Sequence, residues 1–172
     1  MLSTSKSRNL ALLLAASVAV SACASKAPKQ LPPEPGPATT TTTEPAVQGP
    51  IPGSQADFLA TTRGQETIYF DTDRYDIDSE DSAALRTQAQ WLARYPAKRA
   101  AIEGHADERG TREYNLALGE RRANAAKNFL ISQGIDGGRL NTVSYGKERP
   151  QAMGSDEASW SRNRRAVTMT ID

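Results

Sequence analysis

Proline is concentrated in one short stretch of this 172-residue chain, and that stretch limits how much of the chain can fold. Eight of the ten prolines lie between residues 28 and 52, together with a run of five threonines at residues 39–43. Such a segment has too few large apolar side chains to offset the entropy that is lost on ordering. The composition therefore predicts a disordered tether over residues 23–56 and one folded domain over residues 57–172.

The first 22 residues have the pattern of an export signal. Two basic residues precede an apolar run over residues 10–20, and small residues then lead to Cys23, the only cysteine. Because this run is about half as long as a membrane-spanning helix, a secretory signal peptide over residues 1–22 is predicted. Residues 20–23 also resemble a bacterial lipobox, in which Cys23 becomes the lipid-modified N-terminus. The alternative is an ordinary signal peptide that ends near a free thiol.

The residue after the cysteine indicates which membrane the chain is sorted to, and the charge of the mature chain indicates which classes of partner it can bind. Ala24 stands where many inner-membrane lipoproteins of enterobacteria have aspartate, which favours the outer membrane with the folded domain facing the periplasm. Cleavage before Cys23 removes two of the 21 basic residues and none of the 20 acidic ones, so the formal charge is about −1. A near-neutral chain lacks the basic face that nucleic-acid binding needs.

Apolar periodicity predicts strands that are separated by two helices. The strands are expected over residues 67–71, 99–103, 140–145 and 165–171, the last with Val167, Met169 and Ile171 on one face. This order predicts an α/β two-layer sandwich.

Each predicted helix has a start signal, a stop signal and an apolar face. The first begins at a Ser79 N-cap, ends at Pro96, and has Leu85, Ala89 and Leu92 on one face. The second runs from Thr111 to about Gln133 before a Gly134 C-cap. The residues expected on its core face are Leu118, Ala125, Phe129 and Leu130.

Two polar segments place opposite charges around the start of the second helix. They read Gly-His-Ala-Asp-Glu-Arg-Gly at residues 104–110 and Tyr-Asn-Leu-Ala-Leu-Gly-Glu-Arg-Arg-Ala at residues 114–123. Asp107 lies just ahead of the helix, while Asn115 and Arg122, seven residues apart, share one of its faces. The unpaired N–H groups at the helix start also favour an anion. This arrangement can hold a small zwitterion from both ends.

Together with residues 69–77 and 163–165, these segments resemble the OmpA-like peptidoglycan-binding domain. With the lipobox and the proline-rich tether, the chain resembles the peptidoglycan-associated lipoprotein family of Tol-Pal envelope systems. The resemblance implies an OmpA-like two-layer sandwich, with a four-stranded mixed sheet and helices packed on one face. One departure is Ala106, which stands where the family often has threonine.

The resemblance also implies a ligand, the meso-diaminopimelate of the peptidoglycan stem peptide. Asp107 matches the acid that takes its ammonium, and Arg122 matches the guanidinium that takes its carboxylate, where a planar fork outperforms lysine. Asn115 lies on the same side. The further pocket residues that are implied are Phe70, Asp71, Leu118 and Arg165. As charges that serve a ligand at the surface, Asp107 and Arg122 are expected to be replaceable without loss of the fold.

The implied partners follow from the same resemblance. They are peptidoglycan, the outer-membrane bilayer through lipidated Cys23, and TolB with other Tol-Pal components. The implied role is to anchor the outer membrane to the wall, with effects on envelope integrity and on constriction at cell division. Another OmpA-like wall-binding lipoprotein outside Tol-Pal is the alternative.

Each candidate residue also has a structural interpretation, and a catalytic one has to be weighed. Asp107 could be a helix N-cap, Arg122 a solvated helix charge and Asn115 a surface amide. His105, the only histidine, is expected to make structural hydrogen bonds. A peptidoglycan hydrolase could use His105, Asp107 and Glu108. Zinc sites usually need three or four ligands, commonly several His or Cys. A carboxylate pair remains possible for hydrolysis, but two adjacent acids in a polar turn are usually solvated, so a non-catalytic role without a cofactor is predicted.

An acidic run at residues 71–81 could suggest calcium. It lacks the glycine at the sixth loop position and the glutamate at the twelfth, which here are Asp76 and Ser82. These acids are instead expected to form a turn and to charge the first turn of the following helix, so no bound metal is predicted.

Overall fold

A computed structural model describes residues 49–171 of the chain. The predicted signal peptide, the lipidation site at Cys23 and most of the predicted tether lie outside the described residues. Within residues 49–171, no helix combines the length and the apolar character that crossing a bilayer requires.

Helices and strands alternate along this domain. In chain order they are α1 (Gln55–Thr62), β1 (Thr67–Tyr69), α2 (Ser79–Arg94), β2 (Arg99–His105), α3 (Arg112–Ser132), β3 (Leu140–Gly146), α4 (Glu157–Asn163) and β4 (Arg165–Ile171). A short 3-10 turn, Gly137–Arg139, leads into β3.

The four strands form one mixed sheet with the order β1-β4-β2-β3. β2 and β3 are parallel and are joined through α3, whereas β4 lies antiparallel between β1 and β2. Helices α1, α2 and α3 pack against one face of this sheet. The predicted two-layer sandwich with a mixed four-stranded sheet is therefore confirmed.

Strand alternation separates a covered sheet face from an open one. On β4, Ala166 and Thr168 are buried beneath the helices, while Met169 and Ile171 are 40% and 39% exposed. Val167, Met169 and Ile171 do share one face, as predicted, and it is the open face. The bounds of β4 are those predicted, and β1 ends at Tyr69, two residues early.

Helix α1 was not predicted, and the expected domain start at residue 57 falls inside it. Its N-cap is Ser54, whose hydroxyl accepts the Asp57 N–H at 3.1 Å. The Asp57 carboxylate accepts the Trp91 indole N–H at 2.9 Å, and Phe58 packs edge-on against the Trp91 ring at 5.0 Å. These contacts fasten α1 to α2.

Helix α2 begins one residue earlier than the predicted cap implies. Asp78, not Ser79, is the N-cap, because its carboxylate accepts the Asp81 N–H at 2.8 Å. The predicted apolar face is confirmed, since Leu85, Ala89 and Leu92 are all buried.

Helix α3 crosses the sheet at very short range. Its N-cap is Thr111, and Gly134, with φ of +90°, follows its last turn. A side chain at Gly104 of β2 would collide with the backbone of Gly119, so two glycines permit this close approach. Leu118 and Leu130 are buried as predicted, and Phe129 packs partly against the core. Ala125 is only half-buried, because the helix turns Ala126 toward the sheet instead.

Candidate ligand-binding site

The fold places Asp107 at the edge of the sheet where α3 begins. Asp107 lies two residues beyond β2 and four residues before the Thr111 N-cap. Its Oδ1 accepts the backbone N–H and the Nε–H of Arg109, both at 3.1 Å, and its Oδ2 accepts Nη2–H of Arg109 at 2.6 Å. Nη1 of Arg164 lies 3.5 Å from the same Oδ2. Two guanidinium groups thus face one carboxylate, and the alternative interpretation of Asp107 as a helix N-cap is wrong because Thr111 fills that position.

The surroundings of Asp107 favour its charged form. Burial raises the pKa of this carboxyl, but the hydrogen bonds from Arg109 and the charges of Arg109 and Arg164 outweigh burial, so the pKa lies below its usual value. The Asp107 side chain is 9% exposed, whereas that of Arg109 is 40% exposed. A charged carboxylate therefore lies at the base of the site with an arginine over it.

A cavity of about 230 Å³ opens beside this pair. Its walls are Thr72, Asp73, Asp107, Arg109, Gly110 and Tyr114. Asp73 has a left-handed backbone with φ of +57°, and its carboxylate accepts the Tyr114 hydroxyl at 3.2 Å. Aspartate is among the non-glycine residues that adopt this conformation most readily.

Arg122 is fully buried rather than solvated. Its Nη1 donates to the His105 carbonyl at 2.7 Å, its Nε to the Arg74 carbonyl at 2.9 Å, and its Nη2 to the Asp71 carbonyl at 3.1 Å. Its guanidinium also lies 5.2 Å from the centre of the Phe70 ring. The expectation of a surface charge is therefore wrong, because the chain between β1 and α2 folds over this residue.

Burial of Arg122 removes its guanidinium from water, which disfavours the charged form. Burial lowers the pKa of its guanidinium to about 10, with a further contribution from the charge of Arg164. Three backbone carbonyls stabilise this cation and connect α3 to β2 and to the loop at residues 71–74.

Asn115 supports the turn that carries Asp107. It is 2% exposed, and its Nδ2 donates to the Arg109 carbonyl at 2.7 Å, so the surface-amide interpretation is wrong. Lys147 Nζ donates to the carbonyls of Glu108 and Gly110 at 3.1 and 2.7 Å. The backbone of residues 107–110 is therefore held from both sides. Leu118 is buried one helical turn further along α3.

The structure does not bring all the predicted residues to one cavity. Phe70 and Asp71 line a second cavity, also of about 230 Å³, whose wall includes Arg164. Arg165 lies on the open face of the sheet, because strand alternation turns it away from its neighbour Ala166 beneath the helices. Arg164, one residue earlier, approaches Asp107 instead and also pairs with Glu157 at 2.6 Å.

Sequence reasoning assigned no role in the ligand site to Asp73, Arg109, Tyr114 or Arg164, although all four lie in or beside the motifs. For the two arginines the available signal was a positive charge within a motif. Arg109 lies two residues after Asp107, and Arg164 lies in the segment at residues 163–165. Trp160 of α4 was also missed. Its ring stacks on the Arg109 guanidinium at 4.3 Å, and its indole N–H donates to Glu108 Oε1 at 3.0 Å.

His105 packs rather than forming the expected hydrogen-bond network. Its ring lies 5.6 Å from the Tyr145 ring, and its Nε2 is 3.7 Å from a Glu103 oxygen, beyond hydrogen-bonding distance. Burial, with the charges of Arg165 and Arg149, lowers its pKa to about 4. Among residues 49–171, no group of three or more His, Cys, Asp or Glu side chains is placed to hold a metal ion.

A family model described as the OmpA family matches residues 69–164, which is more than half of the chain. The chain belongs to the OmpA family. The match begins at the last residue of β1, includes both polar segments and ends just after α4, and so it contains Asp107 and every wall of its cavity.

Relatives within this family are peptidoglycan-associated lipoproteins. The one from Rhizobium meliloti is 57% identical over 118 residues, which are 69% of this chain and just under two thirds, 66%, of that relative. The one from Brucella melitensis is 48% identical over 160 residues, 93% of this chain and 90% of the relative. The crystal structure of the peptidoglycan-associated lipoprotein from Burkholderia pseudomallei has 42% identity and a TM-score of 0.63, and covers 67% of this chain and all of that one.

Proposed function

We propose that this OmpA-family chain is a lipoprotein that binds peptidoglycan non-covalently through the diaminopimelate of the stem peptide. One observation carries the proposal: the charged, nearly buried carboxylate of Asp107 lines a cavity of about 230 Å³ at the start of α3. The names of the relatives support peptidoglycan as the source of the ligand.

In this proposal Asp107 binds the ammonium of diaminopimelate. The pKa of its carboxyl lies below the usual value, so the carboxylate is charged at neutral pH. A charge-assisted hydrogen bond to an ammonium is worth about 1.5–3 kcal/mol. Asp73 and Tyr114, which are joined by a hydrogen bond, also line the cavity.

The carboxylate of the ligand is assigned to Arg122, with a condition set by its burial. Its guanidinium is fully enclosed and donates to three carbonyls, two of them from the loop at residues 71–74. Arg122 can therefore reach a ligand only when a carbonyl of that loop gives up its hydrogen bond and frees an N–H group of Arg122. The ligand would then replace a backbone acceptor by a carboxylate, which is the stronger partner for a guanidinium.

Co-sedimentation with purified sacculi tests this function. We expect the wild-type protein to pellet with sacculi and Asp107→Asn to remain largely in the supernatant. Asp136→Asn is the matched control, because Asp136 only caps the 3-10 turn through the Gly138 N–H. Release of soluble muropeptides by the wild-type protein would instead indicate a hydrolase and contradict the non-catalytic role.

We further propose that Cys23 carries the lipid and places the chain in the outer membrane, with the folded domain in the periplasm. The sequence around Cys23 supports this proposal, since a short export signal ends in small residues at the cysteine. Fatty-acid labelling should mark the parent protein and not Cys23→Ser. Equal label in both proteins would contradict the anchor.

The partner system is proposed to be Tol-Pal, with TolB as a direct partner and a role in envelope integrity and constriction at cell division. The resemblance to peptidoglycan-associated lipoproteins supports this assignment. Pull-down of TolB with and without soluble muropeptide tests it. Specific capture supports Tol-Pal, and its absence favours a wall-binding lipoprotein outside that system.

A further inference from the structure

The Asp107 carboxylate already holds a cation that belongs to the protein. Arg109 engages both carboxylate oxygens through Nε and Nη2, at 3.1 and 2.6 Å. The Arg109 side chain is 40% exposed and lines the cavity, whereas Asp107 beneath it is 9% exposed. An ammonium that enters the cavity therefore meets Arg109 at the oxygens it would have to contact.

The side chain of Arg109 can move without the turn that carries it. Asn115 and Lys147 hold the carbonyls of residues 108–110, so the backbone is fixed independently of the Arg109–Asp107 pair. The guanidinium itself is held by weaker contacts at its outer side, the Trp160 ring at 4.3 Å and the Thr72 hydroxyl at 3.2 Å. Water screens an ion pair whose arginine is partly exposed, so the pair is weak enough for a ligand to compete with it.

We infer that Arg109 is an internal competitor for the ligand's ammonium at Asp107, and that Trp160 holds it in that competing position. The inference rests on the proposed function and concerns the same cavity. Arg164 remains near Asp107 when Arg109 leaves, but its other nitrogens are taken by Glu157 and by the Phe70 carbonyl. Arg109 is thus the cation that a ligand displaces, and its presence weakens binding.

Titration of two disaccharide-peptide muropeptides into variants of the full chain tests this competition. One probe contains diaminopimelate, and the other contains lysine, which has the ammonium without the adjacent carboxylate. We expect Arg109→Ala to bind both probes about two- to fivefold more tightly than the wild-type protein does. Arg109→Lys keeps a cation within reach of Asp107, so its affinity for each probe should lie between those of the wild-type protein and Arg109→Ala. Trp160→Ala should change affinity in the same direction by a smaller factor.

Arg112→Ala is the matched control for the loss of a positive charge. Arg112 lies at the start of α3, pairs with Glu148 at 3.3 Å, and does not line the cavity. Its replacement should leave both affinities unchanged. A similar gain in Arg112→Ala would show that net charge, and not release of Asp107, is responsible, and would overturn the inference.

A readout without ligand separates the competing contact from fold damage. The pKa of the Asp107 carboxyl, measured by NMR, should rise in Arg109→Ala and stay unchanged in Arg112→Ala. An unchanged pKa overturns the inference. Weaker binding of the diaminopimelate probe alone by Arg109→Ala also overturns it, because Arg109 would then receive the carboxylate. Absence of binding by the wild-type protein would instead contradict the proposed function, and the inference with it.

Discussion

The two ends of the contact between α3 and the sheet are built in different ways. Toward the C-terminus of α3, Leu130 and Ala126 share an apolar cluster with Ile102 and Leu140 of the strands. Toward its N-terminus, polar side chains are buried on α3 beside Leu118. They include Asn115 and Arg122, which donate to backbone carbonyls of the surrounding turns.

This difference separates what holds the fold from what can respond to a ligand. Apolar burial stabilises a fold without directional partners, so the C-terminal end of α3 needs only close packing. The N-terminal end of α3 depends on a few directed hydrogen bonds. A hydrogen bond of this kind can be replaced by a hydrogen bond to a ligand. We therefore expect replacements near the C-terminus of α3 to change stability alone, and replacements near its N-terminus to change both stability and ligand binding.

The largest effect is expected at the apolar end. Leu130→Ala should lower the free energy of unfolding by about 2–5 kcal/mol, because it leaves a cavity in the core. Affinity of the folded protein for a diaminopimelate muropeptide should stay the same. Ile131→Ala, a neighbouring exposed position, should cost far less. Urea unfolding and calorimetry measure the two quantities, and a matching loss of affinity would show that the ends are coupled.

Arg122→Ala should come next, with a loss of about 1–3 kcal/mol in urea unfolding. The variant leaves three carbonyls without their donor, in contrast to the sequence-based expectation that its replacement leaves the fold intact. It should also weaken muropeptide binding. Arg121→Ala, the exposed neighbour on α3, is the control and should change neither. Full stability in Arg122→Ala would show that the buried contacts contribute nothing.

The N-terminal boundary gives a smaller effect. Deleting residues 24–48 should leave the free energy of unfolding unchanged, since this segment has almost no core residues. Extending the deletion through residue 56 should cost about 1–2 kcal/mol, because it removes the Ser54 cap and the Gln55 amide that accepts the Thr170 N–H at 2.7 Å. Thermal unfolding of both deletions distinguishes the two segments. Destabilisation by the shorter deletion would contradict the predicted tether.

The smallest effect concerns pH. Burial lowers the pKa of His105 from 6.5 to about 4, so its contribution to stability is complete above pH 6.5 and is lost as the pH falls toward 4. Burial raises the pKa of Asp81 from 3.8 to about 6, so its contribution is complete below pH 3.8 and is lost as the pH rises through 6.

These two slopes oppose each other, so single variants reveal them better than the wild-type protein does. His105→Gln should reduce the loss of stability between pH 7 and pH 5.5 by about 1 kcal/mol. Asp81→Asn should change the slope in the opposite direction over the same interval. Parallel slopes in all three proteins, measured by urea unfolding at each pH, would rule out both contributions.

The elements that the sequence predicts are those whose local pattern agrees with their packing. Residues 165–171 alternate as a strand and form β4, and α3 has both its start and stop signals. Helices α1 and α4 were missed because each is only seven or eight residues long. Their stability comes from distant partners, such as the bond between Trp91 and Asp57, which no local pattern contains.

The candidate site shows the same limit. Motif spacing placed Asp107 ahead of α3, and this position does line a cavity. It could not show that Arg122 is buried, because its acceptors lie 17 to 51 residues away in the chain. Nor could it choose Arg164 over Arg165, since the choice depends on which face of the sheet each residue occupies.

The central claim is that Asp107 binds the ammonium of diaminopimelate, and calorimetric titration of a diaminopimelate muropeptide tests it most directly. Asp107→Asn removes a charge-assisted contact of roughly 1.5–3 kcal/mol, so affinity should fall about tenfold or more while circular dichroism shows an intact fold. Asp136→Asn should bind as the wild-type protein does. Undiminished binding by a folded Asp107→Asn protein would contradict the account.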